Sequence, residues 1–187
     1  MINVAVVLAS TRPGRKGKPV ADWVLKHATQ RRDAHFELVD LAEVNLPHLD
    51  EPVPPAAGRY VHDHTKSWAA TVAGYDGFVF VTPEYNHSYP GVLKNALDRV
   101  YAEWNNKAAA FVSYGVDGGV RAVEALRPVM ASLRLADVGS QVALSMFHDF
   151  TEFTEFTPGE HQATSLTGTL DQLTAWSTAL ASLRAAA

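Results

Sequence analysis

Short apolar runs alternate along the chain with longer segments in which apolar side chains recur every three or four residues. The first pattern is typical of buried strands, and the second of amphipathic helices. Regular alternation of the two predicts a parallel sheet covered by helices on both faces. We therefore expect one α/β domain of three layers over residues 1–187, with a five-stranded parallel sheet in the order 2-1-3-4-5. The predicted strands are 2–9, 36–41, 77–82, 108–113 and 141–145, and the predicted helices are 17–29, 61–74, 91–102, one from 119 onward and one across 166–183.

Two segments do not follow this alternation. Pro128 lies inside the fourth helical pattern, where proline removes a donor and clashes one turn back, so we expect a kink or a break there. Residues 146–165 are long and irregular for a connection, and they repeat a Phe-Thr-Glu phrase through Phe150, Phe153 and Phe156. Two interpretations remain open for this segment. It is a surface loop whose phenylalanines pack on the fold or on a partner, or it is a flap over a ligand.

Composition narrows the function classes. The 47% apolar content of 187 residues can fill one core, and the formal net charge of −4 favours neither a nucleic-acid partner nor a strongly acidic electron carrier. The absence of cysteine excludes disulfides, thiolate catalysis and cysteine-ligated metals. The first apolar run lacks a basic leader and is too short to span a membrane. We expect a cytoplasmic protein without membrane contact.

In the expected strand order, the loops after the first, third and fourth strands lie side by side at the edge where such sheets bind ligands. The first of these loops, 10–18, combines hydroxyls, glycines and four cationic side chains directly before a helix, which suits an anion such as a phosphate. A solvated basic turn is the alternative. Walker and G-x-G-x-x-G spacings are absent, which disfavours a dinucleotide fold of the Rossmann kind. The candidate ligand-binding residues of this loop are Ser10, Thr11, Arg12, Arg15, Gly17 and Lys18.

The second loop is stiffened by prolines and offers aromatic side chains together with backbone donors and acceptors, which suits a flat ring system. A structural turn, in which Glu84 and Asn86 bond to local backbone, explains the same residues. The third loop has three glycines within five residues, which permit close approach of backbone to a ligand. The candidates are Pro83, Glu84, Tyr85, Asn86 and His87 in the second loop, and Ser113, Tyr114, Gly115, Gly118 and Gly119 in the third.

No protein side chain is predicted to act as a nucleophile or a metal ligand. His62-Asp63-His64 offers two imidazoles, but side chains two residues apart diverge on a helix, so we interpret them as a solvated helix start. A Gly-x-Ser-x-Gly elbow is also absent.

The segment 82–98 carries a specific signature. It contains Pro-Glu-Tyr-Asn, then Pro-Gly, then Leu-Lys-Asn-Ala and a following Asp, and it resembles the corresponding motif of the NAD(P)H-dependent FMN reductases, a flavodoxin-like family that includes quinone and azo reductases. The resemblance implies that Ser10 and Arg12 hold the FMN phosphate, that 83–87 and the glycine-rich loop contact the flavin ring, and that chemistry is carried by the flavin. Many members have further hydroxyl and amide side chains where this chain has Arg15 and Gly17.

The resulting hypothesis is an FMN-dependent oxidoreductase. It takes hydride from NADPH or NADH and reduces a flavin, quinone or azo acceptor by a ping-pong mechanism. A homodimer or homotetramer is expected, because the 91–102 helix and Trp104 carry more apolar surface than one sheet face needs. The alternatives are a non-catalytic flavin-binding electron carrier or redox-responsive protein, and a different α/β enzyme that binds a nucleotide or sugar phosphate.

Overall fold

Five parallel strands form the central sheet in the order β2-β1-β3-β4-β5, which confirms the predicted order. The computed structural model of the protein describes residues 1–185. Side chains of β1, β3 and β4 are almost all buried, because helices cover both faces of the sheet. The strands are β1 Ile2–Leu8, β2 Ala34–Asp40, β3 Gly77–Pro83, β4 Lys107–Gly115 and β5 Leu135–Ser145.

In the described part of the chain, six α-helices lie between and after the strands. One apolar layer packs α1 and α6 on the sheet through side chains such as Val20 and Leu166. The opposite layer packs α3, α4 and α5 through Trp68, Leu93 and Val123. The helices are α1 Gly17–Ala28, α2 Leu41–Val44, α3 Asp63–Ala73, α4 Gly91–Asp98, α5 Val120–Ser132 and α6 Glu160–Ala185.

Two local expectations require correction. Helix α5 continues across Pro128, so of the expected kink or break the break is wrong. Pro128 lies on the exposed side of the helix, where water can bond the carbonyl that loses its donor. Strand β5 begins at Leu135, six residues before the predicted start. Its first residues have mixed burial, and they pair with β4 before a shift in register between Ala109 and Phe111.

The irregular segment after β5 contains a small antiparallel hairpin of β6 Phe150–Thr151 and β7 Glu155–Phe156. Phe150 is buried and lies 5.1 Å from Phe156, ring centroid to ring centroid. Two of the three repeated phenylalanines therefore pack on the fold itself. Phe153, at the hairpin tip, is half-exposed and contacts the exposed Phe147.

The apolar residues of α4 and the following turn belong to the core of the chain itself. Leu93, Leu97, Val100 and Trp104 are each at most 1% exposed, and Tyr101 is partly buried against the same core. The surplus apolar surface that was expected on this helix is therefore absent, and that argument for an oligomer is wrong. Within residues 1–185, no helix is both long and apolar enough to cross a membrane.

Candidate active site

A cavity of about 430 Å³ opens where the loops after β1, β3 and β4 meet. Seven of the predicted site residues line it, and five further lining residues were not predicted. The predicted ones are Arg12, Arg15, Pro83, Glu84, Tyr85, Tyr114 and Gly115, and the additional ones are Pro13, Gly14, Lys16, Val116 and Met146.

The loop after β1 is fixed by contacts that its residues make beneath the cavity. Ser10 is fully buried, and its Oγ lies 2.9 Å from the hydroxyl of Tyr85, which ties the first loop to the second. Gly17 begins α1 at a point of close packing, since a Cβ there would lie 2.7 Å from both the Tyr114 hydroxyl and the Leu8 side chain. Gly17 therefore permits packing beneath the cavity. Thr11 is exposed outside the cavity lining.

Of the four cations of the first loop, two form ion pairs with acidic side chains and two do not. The Arg15 guanidinium forms a two-pronged ion pair with the buried Asp40 carboxylate and also donates to the Ser10 carbonyl. Lys18 pairs with Asp22 on the surface of α1.

Arg12 and Lys16 line the cavity, and within residues 1–185 neither side chain makes a hydrogen bond or ion pair. The N-terminus of α1 begins directly after Lys16, so its free N–H groups and dipole add positive potential at the same place. Arg12 and Lys16 are therefore the cations available to an anion. Lys16 was missed because sequence spacing does not reveal which cations an acidic residue neutralises.

The loop after β3 ends in a tight two-residue turn. Tyr85 and Ser88 exchange backbone hydrogen bonds of 2.8 and 3.1 Å, and Asn86 and His87 between them have φ of 48° and 71°. Positive φ at both central residues is the geometry of a type I′ hairpin turn. The turn leaves Asn86 and His87 exposed at the tip, outside the cavity lining, while residues 83–85 line the cavity.

Glu84 joins the second loop to the third. Its carboxylate accepts a 2.5 Å bond from Nε of Arg121 and a 3.2 Å bond from the backbone N–H of the same residue, in the first turn of α5. Arg121 also donates to Asp117 at 2.8 Å. The Glu84 side chain thus satisfies a free helix N-terminus and fixes the relative position of two cavity walls.

The glycine-rich loop after β4 turns back sharply on itself. Gly118 and Gly119 both have φ of +72°, and a Cβ on Gly119 would lie 2.9 Å from the Tyr114 backbone. The buried Ser113 hydroxyl donates to the Gly118 carbonyl at 2.7 Å. Ser113, Gly118 and Gly119 therefore shape the turn, and Gly115 and Val116 face the cavity.

Tyr114 forms part of the cavity floor. Its ring is buried, and within residues 1–185 its hydroxyl has no hydrogen-bond partner. Burial, with a smaller contribution from the nearby Tyr85, raises the pKa of Tyr114 above its ordinary value. The phenol therefore stays protonated and uncharged at neutral pH, and its buried ring supports the cavity from below.

The histidine pair at the start of α3 departs from expectation. The His62 and His64 rings stack at 5.1 Å with 11° between their planes, instead of diverging. His62 precedes the helix in an extended conformation, with φ −86° and ψ 139°, so helical spacing does not apply to this pair.

Comparisons with known proteins agree with one another. A family model described as NADPH-dependent FMN reductase matches residues 2–149. An NAD(P)H-dependent FMN reductase of Schizosaccharomyces pombe is 40% identical over 149 residues, which cover 79% of this chain and 74% of that protein. A 2-hydroxy-1,4-benzoquinone reductase of a Burkholderia species is 32% identical over 157 residues, covering 79% of this chain and 80% of that protein. The solved structure of FerB, a flavoenzyme NAD(P)H:acceptor oxidoreductase from Paracoccus denitrificans, has the same fold, with a TM-score of 0.74 at 24% identity over 95% of this chain and 98% of that chain.

Proposed function

Because this chain belongs to the NADPH-dependent FMN reductase family, we propose that it binds FMN without a covalent link in the cavity at the β1, β3 and β4 loops. It is an NAD(P)H-dependent oxidoreductase, and its electrons pass to a small-molecule acceptor. The observation that carries the cofactor site is the pair of cations, Arg12 and Lys16, left without partners beside the N-terminus of α1.

The residues present fit the two ends of FMN. Arg12, Lys16 and the first N–H groups of α1 suit a phosphate dianion, because charge-assisted bonds and the helix dipole act together. The opposite wall suits a flat ring, since it is lined by residues 83–85 and Gly115 together with the apolar Val116 and Met146. Tyr114 and Tyr85 form the floor between the two ends.

The chain's own part in the reaction is positioning. FMN held by Arg12, Lys16 and the start of α1 would supply the hydride and electron-transfer chemistry. Ser10 bonds the first loop to the second, Glu84 bonds the second loop to the start of α5, and Ser113 holds the third loop in its turn, so the cavity is formed before ligand arrives. N–H groups of the 115–119 turn suit negative charge near the ring, whereas the N–H of Arg121 at the start of α5 is bonded to Glu84.

We propose that NAD(P)H and the acceptor use the open side of the cavity in turn. This order gives ping-pong kinetics, and parallel lines in double-reciprocal plots at several acceptor concentrations are the expected result. Intersecting lines in these plots would contradict the proposal that NAD(P)H and the acceptor use the same side of the cavity. The flat, largely apolar ring wall suits flavins, quinones and azo compounds alike.

The absorbance spectrum of the freshly purified protein tests the cofactor. The expected result is a yellow protein that releases FMN, and no FAD, on heat denaturation, because the cavity has one cationic end and no second one for an adenylate. A colourless protein favours the alternative of a nucleotide or sugar-phosphate enzyme. A yellow protein with no turnover of NAD(P)H favours an electron carrier.

We further propose a homodimer or homotetramer in the cytoplasm. Support for self-association lies beside the cavity, where Val116, Phe147 and Phe153 are 57%, 61% and 51% exposed. Exposed apolar side chains gathered in this way are typical of an interface. We call these three residues the mouth patch.

A further inference from the structure

A second cluster of polar side chains lies away from the cavity, where the long loop before α3 meets the helix. Asp50, His62 and His64 each offer one ligand atom, and these atoms all lie within 4.8 Å of one another. The His64 Nε2 is 3.1 Å from Oδ1 of Asp50, and the His62 Nε2 is 3.3 Å from the Asp50 carbonyl oxygen. None of these residues lines the cavity of the active site.

The two ends of the loop are brought together by the backbone. The Glu51 carboxylate accepts hydrogen bonds from the N–H groups of Val61 and His62 at 2.9 and 3.1 Å. This contact places Asp50 opposite the two imidazoles. Because His62 is extended and His64 is helical, both rings turn toward Asp50 and stack side by side.

This donor set is suited to a divalent transition ion. Two imidazole nitrogens with one carboxylate oxygen are common ligands of Zn²⁺, whereas Mg²⁺ and Ca²⁺ take oxygen ligands. Ligands at zinc-binding distance in a tetrahedral site lie about 3.3 Å apart. The distance between two of the proposed ligand atoms, Nε2 of His64 and Oδ1 of Asp50, is 3.1 Å and is close to that spacing. All three candidate ligand atoms lie within 4.8 Å of one another. We propose that Asp50, His62 and His64 bind Zn²⁺, with a water molecule completing the coordination.

The surroundings of Asp50 orient it for this role. Arg99 is fully buried, and its Nη1 donates to Oδ1 of Asp50 at 2.8 Å and to the Thr65 hydroxyl at 3.1 Å. Oδ2 of Asp50 has no donor within residues 1–185. The buried Arg99 therefore fixes the orientation of the Asp50 carboxylate, whose Oδ1 faces His64. The negative charges of Asp50 and Glu51 outweigh the single positive charge of Arg99.

Zinc at this position would fasten residues 50–62 to α3. Calorimetric titration of Zn²⁺ into untagged, chelator-treated protein is expected to saturate at one ion per chain. His62→Gln and His64→Gln are each expected to weaken binding at least about tenfold, since each removes one of three protein ligands. Co²⁺ in place of Zn²⁺ is expected to give the visible absorbance of a tetrahedral site.

His35→Gln is the matched control. His35 also pairs with a carboxylate, Glu37, at 2.9 Å on the surface, but it is not part of a three-ligand cluster. Its replacement is expected to leave zinc binding unchanged. The far-ultraviolet circular dichroism spectrum of each variant checks that it is folded, and Asp50→Asn provides a further ligand variant.

The absence of zinc heat in the wild-type titration would overturn the proposal. Binding that survives in folded His62→Gln and His64→Gln variants would overturn it equally, because the ion would then sit elsewhere. The titration needs no flavin, so its result stands apart from the proposed cofactor.

Discussion

At the scale of single residues, Arg12 is one of the two cations that we propose for phosphate recognition. Its guanidinium has no protein partner within residues 1–185 and faces the cavity. Arg12→Ala is expected to weaken FMN binding by about 1.5–3 kcal/mol, or roughly 10-fold to 100-fold in Kd, because a charge-assisted phosphate contact is lost. Riboflavin, which lacks the phosphate, is expected to bind both proteins alike in a fluorescence titration.

Lys18→Ala is the control for net charge. It removes a cation only six positions away that pairs with Asp22 outside the cavity. FMN affinity is expected to stay within about twofold of the wild type, as for an exposed ion pair. Equal losses of FMN and riboflavin in Arg12→Ala would show that Arg12 acts on structure.

Lys107 gives a second prediction at the residue scale. Its ammonium is buried at the start of β4, where it donates to the carbonyls of Val72 and Ala73 at 2.7 and 3.2 Å. Burial, with a smaller effect of Arg184, lowers the pKa of Lys107 from 10.5 to about 8. Between these two pH values the unfolded chain keeps a proton that the folded chain has released, so this group makes the free energy of unfolding rise with pH.

The Lys107→Met variant lacks this titrating group, so folding no longer releases its proton. Urea unfolding of both proteins at several pH values is expected to show the wild type gaining stability relative to the variant as pH rises from 8 to 10.5. Other titrating groups are shared and cancel in the difference. A difference that stays flat, or falls, over this window contradicts the lowered pKa.

At the scale of elements, the Glu84–Arg121 ion pair links β3 to the start of α5. Glu84→Gln is expected to loosen both walls of the cavity. The affinities for FMN and riboflavin should fall by the same factor, on the order of 3-fold to 10-fold, because the pair positions backbone and does not touch the phosphate. Fluorescence titration with both ligands measures the factor, and amide exchange over 115–121 measures the loosening.

Asp117→Asn is the matched control for this pair. Asp117 contacts the same arginine, but its side chain is 58% exposed against 8% for Glu84. An exposed ion pair contributes little, so binding is expected to change by less than about twofold. Loss of FMN binding alone in Glu84→Gln would contradict a positioning role.

At the scale of the whole molecule, self-association is expected to depend on the mouth patch and not on α4. Phe147→Ser combined with Phe153→Ser is expected to shift sedimentation from a multiple of the 20.3 kDa chain toward the monomer. Trp176→Ser is the control, because Trp176 is 47% exposed on α6 and belongs to another surface. A wild type that sediments as a monomer at micromolar concentration would remove the oligomer proposal.

The sequence by itself determined the strand order, the places of most helices and the three loops that form the cavity. Burial periodicity is a local property, so it can be read from neighbouring residues. The signature at 82–98 likewise pointed to the family, because its turn and helix residues are contiguous. Early β5 residues escaped prediction, since their burial is mixed and depends on pairing with β4.

Only the tertiary structure decided which polar side chains are free. Arg15 pairs with Asp40, 25 positions away, which leaves Arg12 and Lys16 to the cavity. His64 contacts Asp50, which lies 14 positions earlier in the chain. Leu97 is buried in the core of the chain and is not available to a partner. Strand register and helix packing bring together the groups that neutralise these charges and cover this apolar surface. Because these groups are far apart along the chain, the spacing of neighbouring residues does not predict their contacts.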